Sequence, residues 1–507
     1  MLLKVKALHL LAGRPIAIIH EDTARYLSLH VGERIKIKRY RKKKEIVAPI
    51  DLTGGKTILN KDEIALSHEI IKNLNLKSKE IVDVTPALKP LSVNYIHKKL
   101  DGKKLTYTEL YSIISDIVNN KLTEAEVAFF VSSVYLQGMD FDEVANMTRA
   151  MVKTGRKLKL NKNKNIIIDK HSIGGVEGNR TTPLVVSIIA AAIDHLKLKA
   201  AIPKTSSRAI TSAAGTADVI ETLAKVEVKT KEIKKIITKT NACLVWGGSL
   251  GLAPADDKII QVERVLSLDP EAQLLASILS KKLSVNATHV LIDISFGRGA
   301  KIENRSEAEK LKQKFEQIAK RLNLNIIVTL TDGSQPVGNG IGTTLEMRDV
   351  LAILKQEKNR PIDLENRSLY LATKLLSFVT GKSDKESAVI VKGILISGEA
   401  YNKFEQIIEA QGGNLKDLDN KLKLGKYSFT VKVKKPGEVK EISNKKMAQI
   451  ARLAGAPADR GAGIYLYKHI GDKVKKNDKL FTIYSETPAE LAYAKRLAER
   501  INPVVVE

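Results

Sequence analysis

The chain has 507 residues, with 84 Lys and Arg against 57 Asp and Glu, a net charge of +27. Hydrophobic residues make up 43%, enough aliphatic surface to bury a large core, which excludes intrinsic disorder; at about 150 residues per domain the length implies three to four domains. The single cysteine, Cys243, excludes a disulfide framework and a cysteine-built zinc site and points to a reducing, cytoplasmic setting. The longest apolar stretch, residues 184–193, is far shorter than the roughly 20 residues a membrane span needs. The opening MLLKVKALHLLAG carries lysines inside its apolar part, so it reads as an alternating strand rather than a signal peptide. Lysines are scattered along the chain, and the densest basic run, residues 36–44 (KIKRYRKKK), is short. That distribution favours a solvated lysine-rich surface over attraction of phosphorylated substrates, and either over nucleic-acid binding.

Residues 1–86 predict a β-rich unit: LLKVKALHL, RPIAIIH, ERIKIKRY and KEIVAPI alternate or run apolar, with breaks at Gly13, Gly32 and Gly54–Gly55. A short helix is expected over 61–74, and Pro86 and Pro90 punctuate a linker. From Val93 to Gly155 the pattern is helical, and Thr106…Glu109 and Thr123…Glu126 have the S/T-x-x-E form of a capping box. From Asn165 the texture becomes strand, glycine-rich loop, helix. Further strand–loop units at HVLIDISFGRGAKI and NIIVTLTDGSQPVGNGIG imply a largely parallel sheet with ligand loops at its carboxyl edge. After about Gly425 the chain is β-rich again, a barrel-sandwich pattern with a packing role.

Three segments carry chemistry. The first, residues 169–182 (DKHSIGGVEGNRTT), leaves an apolar strand and enters a helix. Gly174, Gly175 and Gly178 permit close backbone approach, Lys170 supplies charge, and Ser172, Thr181 and Thr182 supply hydroxyls. It reads either as an anion cradle or as a tight structural turn, and it matches neither a P-loop nor a dinucleotide fingerprint. The second, residues 203–216 (PKTSSRAITSAAGT), is dense in small hydroxylated residues suited to wrapping a polar anion, with Arg208 adding charge. In the third, Ser277 and Lys281 stand at i and i+4 on one helix face, and Asp269 precedes Pro270 as either a helix N-cap or a catalyst.

Together DKHSIGGV, the segment ending at Thr216, SLGLAPAD and ASILSKK resemble the pyrimidine nucleoside phosphorylase family from about residue 88 to the C-terminus. The resemblance implies a multidomain α/β fold. A β-rich domain over 1–86 would precede a helical subdomain (88–158 and 254–285), a large α/β phosphate-binding domain (160–253 and 286–424) and an α+β barrel-sandwich-like C-terminal domain (425–507). The second loop SSRAITSAAGT, the first-loop EGNRTT and the N-terminal extension depart from the pyrimidine enzymes and resemble that family's archaeal AMP-cleaving branch. This implies phosphorolysis of AMP, with CMP and UMP as further candidates, to the free base and ribose 1,5-bisphosphate. Inorganic phosphate is then a co-substrate, and no cofactor and no metal are required. Lys170, Ser172, Ser206 and Thr216 would hold phosphate. Gly175, Ser207, Arg208, Ala209, Ile210, Thr211, Ser212, Thr216, Ser277 and Lys301 would contact AMP, and Asp269 would protonate the leaving base. His171 and Lys281 would touch base or sugar, with loop bracing an equal reading for His171. The resemblance further implies a homodimer or larger homo-oligomer, with neither nucleic acid nor membrane as partner. A pyrimidine nucleoside phosphorylase is the alternative, and a non-catalytic nucleic-acid-binding protein a second, motivated only by the charge. The link at 194–199 is longer than the family pattern and has no explanation in the sequence.

Overall fold

A computed structural model describes residues 1–7, 15–54, 58–158, 160, 165–266 and 268–507, so the expected breaks at Gly13 and Gly55 lie outside the described residues. The chain forms two compact units, Met1–Gly155 with Ala253–Ser277, and Arg156–Leu252 with Ile278–Glu507.

The first unit opens with a closed barrel of six strands: β1 (Leu2–Ala7), β2 (Ala17–His20), β3 (Arg34–Arg39), β4 (Glu45–Thr53), β5 (Glu63–Leu66) and β6 (Ile81–Ala87), in the order β1-β5-β2-β4-β3-β6. Alternation puts Leu3, Val5, Ile35, Ile37, Ile64, Val82 and Val84 inside it. Two expectations are corrected. The helix expected over 61–74 is strand β5 followed by a shorter helix, His68–Leu74. Pro86 is not linker but part of β6, opposite Ile35; β6 pairs β1 only as far as Asp83, so the proline sits where one flank has no ladder bond to lose. Helices Ser92–Leu100, Tyr107–Val118, Glu124–Gln137, Phe141–Thr154 and Pro254–Leu266 follow. Thr106 with Glu109 and Thr123 with Glu126 form complete capping boxes, as their spacing predicts.

In the second unit β7 (Ile166–Ile173), β8 (Ala200–Ser206), β9 (Ala242–Trp246), β10 (His289–Phe296) and β11 (Asn325–Asp332) form an all-parallel sheet, ordered β11-β10-β7-β8-β9. Helix Thr181–His195 is buried from Thr181 through Ile193, which accounts for the apolar stretch seen in sequence. Among the described residues no helix is long and apolar enough to cross a membrane. The unexplained link after His195 is a turn with Lys197 at φ 53°, and Asp194 beside it accepts from Asn241 Nδ2 at 2.6 Å and pairs with Lys403. The C-terminal part adds β12 (Gly340–Ile341), β13 (Tyr427–Lys432), β15 (Gly463–Leu466) and β17 (Lys479–Ser485) in one antiparallel sheet. A second sheet holds β14 (Gly437–Ile442), β16 (Lys473–Val474) and β18 (Val504–Val506).

Candidate active site

In a parallel sheet every strand points its carboxyl end the same way, so the loops after β7, β8 and β10 gather on one edge. Lys170 lies near the end of β7 with no solvent exposure. Its Nζ donates to Thr181 Oγ1 at 2.6 Å and Thr182 Oγ1 at 3.4 Å, at the start of the buried helix. Burial lowers its pKa to about 8, against the opposing pull of Asp293. Ser172 donates to Asp293 Oδ2 at 2.9 Å, and Thr331 donates to the other oxygen at 2.7 Å, so β7, β10 and β11 are laced through one carboxylate.

Two glycines of the first loop, Gly174 and Gly178, are required by space, whereas a Cβ on Gly175 would meet nothing nearer than the Lys301 Cβ at 3.9 Å. Gly178 has φ +66°, and a Cβ there would stand 2.5 Å from the Val337 carbonyl oxygen. Gly175 is exposed, and the Lys301 amide donates to the Gly174 carbonyl at 2.7 Å, which brings the loop after β10 beside it. The Lys301 side chain is exposed.

The second loop is held from beneath. Asp218 Oδ2 accepts from the amides of Ala209 at 2.7 Å and Gly215 at 2.9 Å. A Cβ on Gly215 would meet the Ala209 nitrogen and the Arg208 carbonyl carbon at 2.5 Å. Gly215→Ala should therefore push the 207–212 segment outward, and an unchanged AMP KM in a correctly folded variant would contradict that loop's role. Arg180, part of the first-loop EGNRTT but given no role of its own in the sequence, ion-pairs with Glu346 and donates to Thr216 Oγ1 at 2.8 Å and the Ala214 carbonyl at 3.0 Å. Ala213 packs into the C-terminal core, and Arg452 reaches the carbonyls of Ile210 and Thr211 at 3.3 Å. The C-terminal domain thus packs directly beneath this loop. Glu177 accepts from the Ala213 amide at 3.1 Å, and burial raises its pKa to about 8.

Ser206 has a buried Oγ with no hydrogen-bond partner, while Ser207, Ile210 and Thr211 are exposed and Ala209, Ser212 and Thr216 half-buried. Ser212 donates to the Ala214 carbonyl at 3.1 Å. Arg208 departs from the expectation of an open cation. Its guanidinium lies 2.6 Å from Glu221, 3.1 Å from Glu227 and 3.2 Å from Asp218, and stacks 5.0 Å over Trp246. Three carboxylates already absorb its charge, so it ties the loop to the helix Thr216–Glu221 rather than offering a free charge to an anion.

Sequence reasoning gives no role to two further lysines, Lys204 in PKTSSRAITSAAGT and Lys282 in ASILSKK, because nothing there shows that either is buried. Lys204 and Lys282 are both buried, and both point at Asp169: Lys282 Nζ donates to Oδ2 at 2.9 Å, and Lys204 Nζ lies 3.6 Å from Oδ1. Burial and then Lys282, Lys204, Lys281 and Lys170 hold the half-buried His171 imidazole neutral, well below its usual range, so it can offer a hydrogen bond but no charge. Asp269, in the first unit, is exposed just before helix Glu271–Ser284, along which Ser277, the last residue of that unit, and Lys281, in the second, stand one turn apart.

A parallel sheet with buried lysines and hydroxylated loops at its carboxyl edge, in a chain that also builds a helical bundle, defines a class. Residues 93–155 match the helical bundle domain of a glycosyl transferase family, residues 164–401 its a/b domain, and residues 438–503 the pyrimidine nucleoside phosphorylase C-terminal domain. The fold is shared with anthranilate phosphoribosyltransferase from Thermus thermophilus, at a TM-score of 0.51 and 18% identity, covering 63% of this chain and 99% of that one. Among curated relatives, AMP phosphorylase of Thermococcus kodakarensis is 42% identical, covering 99% of this chain and 97% of its own length. The enzymes of that name from Pyrococcus furiosus (41%, covering 99% and 97%) and Methanocaldococcus jannaschii (43%, covering 90% and 89%) are similarly close. The chain belongs to the AMP phosphorylase family and is an enzyme of the glycosyl transferase class.

Proposed function

We propose that the protein cleaves AMP with inorganic phosphate, giving adenine and ribose 1,5-bisphosphate. Full-length similarity to AMP phosphorylases carries this reading. The cationic, hydroxyl-rich sheet edge supports it physically. A phosphate oxygen forms a bond to C1′ as the C1′–N9 bond breaks, and the departing adenine nitrogen takes a proton from Asp269. The transition state is oxocarbenium-like, so positive charge must hold the attacking dianion without neutralising it by proton transfer. Lys170, Ser172, Ser206 and Thr216 are the proposed phosphate ligands; the orphaned Ser206 hydroxyl is a donor in want of an acceptor. Gly175, the 207–212 loop, Ser277 and Lys301 are the proposed AMP contacts, with His171 and Lys281 at base or sugar. Phosphate attack at C1′ with proton transfer to the base balances without a further reactant, so no cofactor enters this reading, and activity should survive chelation.

Chromatography of AMP, CMP, UMP, adenosine and thymidine, each with and without phosphate, tests the reading. Adenine from AMP only with phosphate, and little from adenosine, is expected. Thymine from thymidine at a higher rate would replace it with the pyrimidine nucleoside reaction. Lys170→Ala should weaken phosphate use by about 10²–10³-fold, the typical loss on removing one preorganised charged donor. A phosphate dependence equal to wild type would take Lys170 out of the cradle. A homo-oligomer, dimeric or larger, working in the cytoplasm belongs to the same reading, and light scattering checks its size.

A further inference from the structure

The sheet edge holds more buried charge than the proposed cradle uses. Lys204 is 4% exposed, and its Nζ donates to the Thr205 carbonyl at 2.7 Å, one residue before the orphaned Ser206 hydroxyl. The same ammonium shares Asp169 with Lys282, and the Asp169 oxygen facing Lys204 also accepts the Lys170 amide at 2.7 Å. Lys204 thus sits at the junction of the two loops, bonded to the backbone of one and paired with a carboxylate that grips the other. Its charged neighbours are Asp169 and Lys170 on β7 and Lys282 on helix Glu271–Ser284, with the neutral His171 imidazole within reach of its field; Cys243 on β9 stays a thiol because burial pushes its pKa up. Three buried lysines, 170, 204 and 282, face two buried carboxylates, Asp169 and Asp293. A surplus of buried cation is costly unless an anion arrives to balance it.

We propose that Lys204 is a positioning residue for inorganic phosphate: it fixes the Thr205–Ser206 backbone and completes, with Lys282, a second layer of positive charge behind Lys170 that is matched only when phosphate docks. This rests on the phosphorolytic reading and adds to it the group that couples the two loops to the co-substrate. Burial and then Lys282 lower the Lys204 pKa to about 7, so the empty site carries it part-neutral at neutral pH. A phosphate dianion nearby favours the ammonium. Docking then draws a proton from solvent, and Lys204 contributes most below pH 7 and progressively less above it.

The experiment measures phosphate KM, AMP KM and kcat against pH for wild type, Lys204→Met and Lys204→Arg. The ratio of variant to wild-type KM cancels the ionisation of phosphate itself. For Lys204→Met the phosphate KM should rise about tenfold near pH 6.5, a typical charge-assisted contribution, with the ratio falling toward one by about pH 8.5. AMP KM and kcat should stay within about threefold, because the charge behind Lys170 attracts phosphate equally in the bound state and in the transition state. Lys204→Arg, a permanent cation, should keep phosphate affinity and lose the pH-dependent part. A ratio that does not change with pH, or a loss confined to kcat, overturns the proposal. Calorimetry of phosphate binding without nucleotide, in buffers of different ionisation enthalpy near pH 8, supplies a readout independent of turnover. Wild type should take up more protons than either variant, and equal uptake overturns the proposal even where one variant folds poorly. Lys204-dependent phosphate binding without AMP cleavage would sink the AMP reading alone. AMP cleavage with Lys204-independent phosphate use would sink this one alone.

Discussion

Asp269→Asn is expected to lower kcat for AMP by about 10²–10⁴-fold, the usual worth of a positioned general acid. Adenine leaves poorly as an anion, so a proton must reach it as the C1′–N9 bond breaks, and an amide cannot deliver one. The substitution also separates the two readings of Asp269, as proton donor and as helix cap. It stands immediately before Pro270, whose carbonyl accepts the first bond of the helix Glu271–Ser284 from the Leu274 amide at 2.9 Å, so by position it is one residue outside the N-cap. Asparagine caps a helix as well as aspartate does, so the variant should unfold at the wild-type temperature if capping is all that Asp269 does. A large kcat loss with unchanged thermal stability assigns the residue to proton transfer. Full activity assigns it to the helix end. A nucleotide with a more acidic leaving base should lose less than AMP does, because its departure demands less protonation.

The parts of the molecule legible in the sequence are those whose cause is local. Thr106…Glu109 and Thr123…Glu126 satisfy helix amides three residues away, so the letters alone place both helix starts. The glycines of the first loop are read as close-approach positions, and the structure supplies the neighbour at Gly178, the carbonyl of Val337. The 63–66 segment reads as helix because four apolar-rich residues have no distinguishing period; what makes them a strand is pairing with β1 and β2. Arg208 reads as available because its carboxylate partners, Asp218, Glu221 and Glu227, lie on a helix and turn whose direction the sequence does not give. Lys282 and Asp169 are 113 positions apart, and Arg180 and Glu346 are 166 apart. Only the packing of helix Glu271–Ser284 against β7 and of helix Thr343–Leu354 beside the first loop brings them together, so neither pairing has a sequence signal.

The second of those pairs governs the other large effect. Arg180→Met should destabilise the second unit by about 3–5 kcal/mol, the typical result of removing one partner from a buried ion pair. Glu346 has no solvent exposure, and apart from Arg180 its carboxylate accepts from the Gly342 amide at 3.1 Å. Burial already raises the Glu346 pKa and Arg180 opposes that rise, so losing the guanidinium raises it further. A carboxyl whose folded pKa lies above its unfolded value binds more protons in the folded state. The variant's stability should therefore increase as pH falls through that raised pKa, more steeply than in wild type. The midpoint of thermal unfolding, followed from about pH 8 to pH 5, reads this slope. Arg180→Met combined with Glu346→Gln removes the stranded charge and should recover part of the loss, with a flatter pH dependence. Recovery of stability without recovery of activity is the expected end point, because Thr216 and the Ala214 carbonyl still lack the guanidinium that fixes the second loop. If the double variant is no more stable than Arg180→Met, the uncompensated carboxylate is not the cause, and the lost loop contacts carry the whole effect.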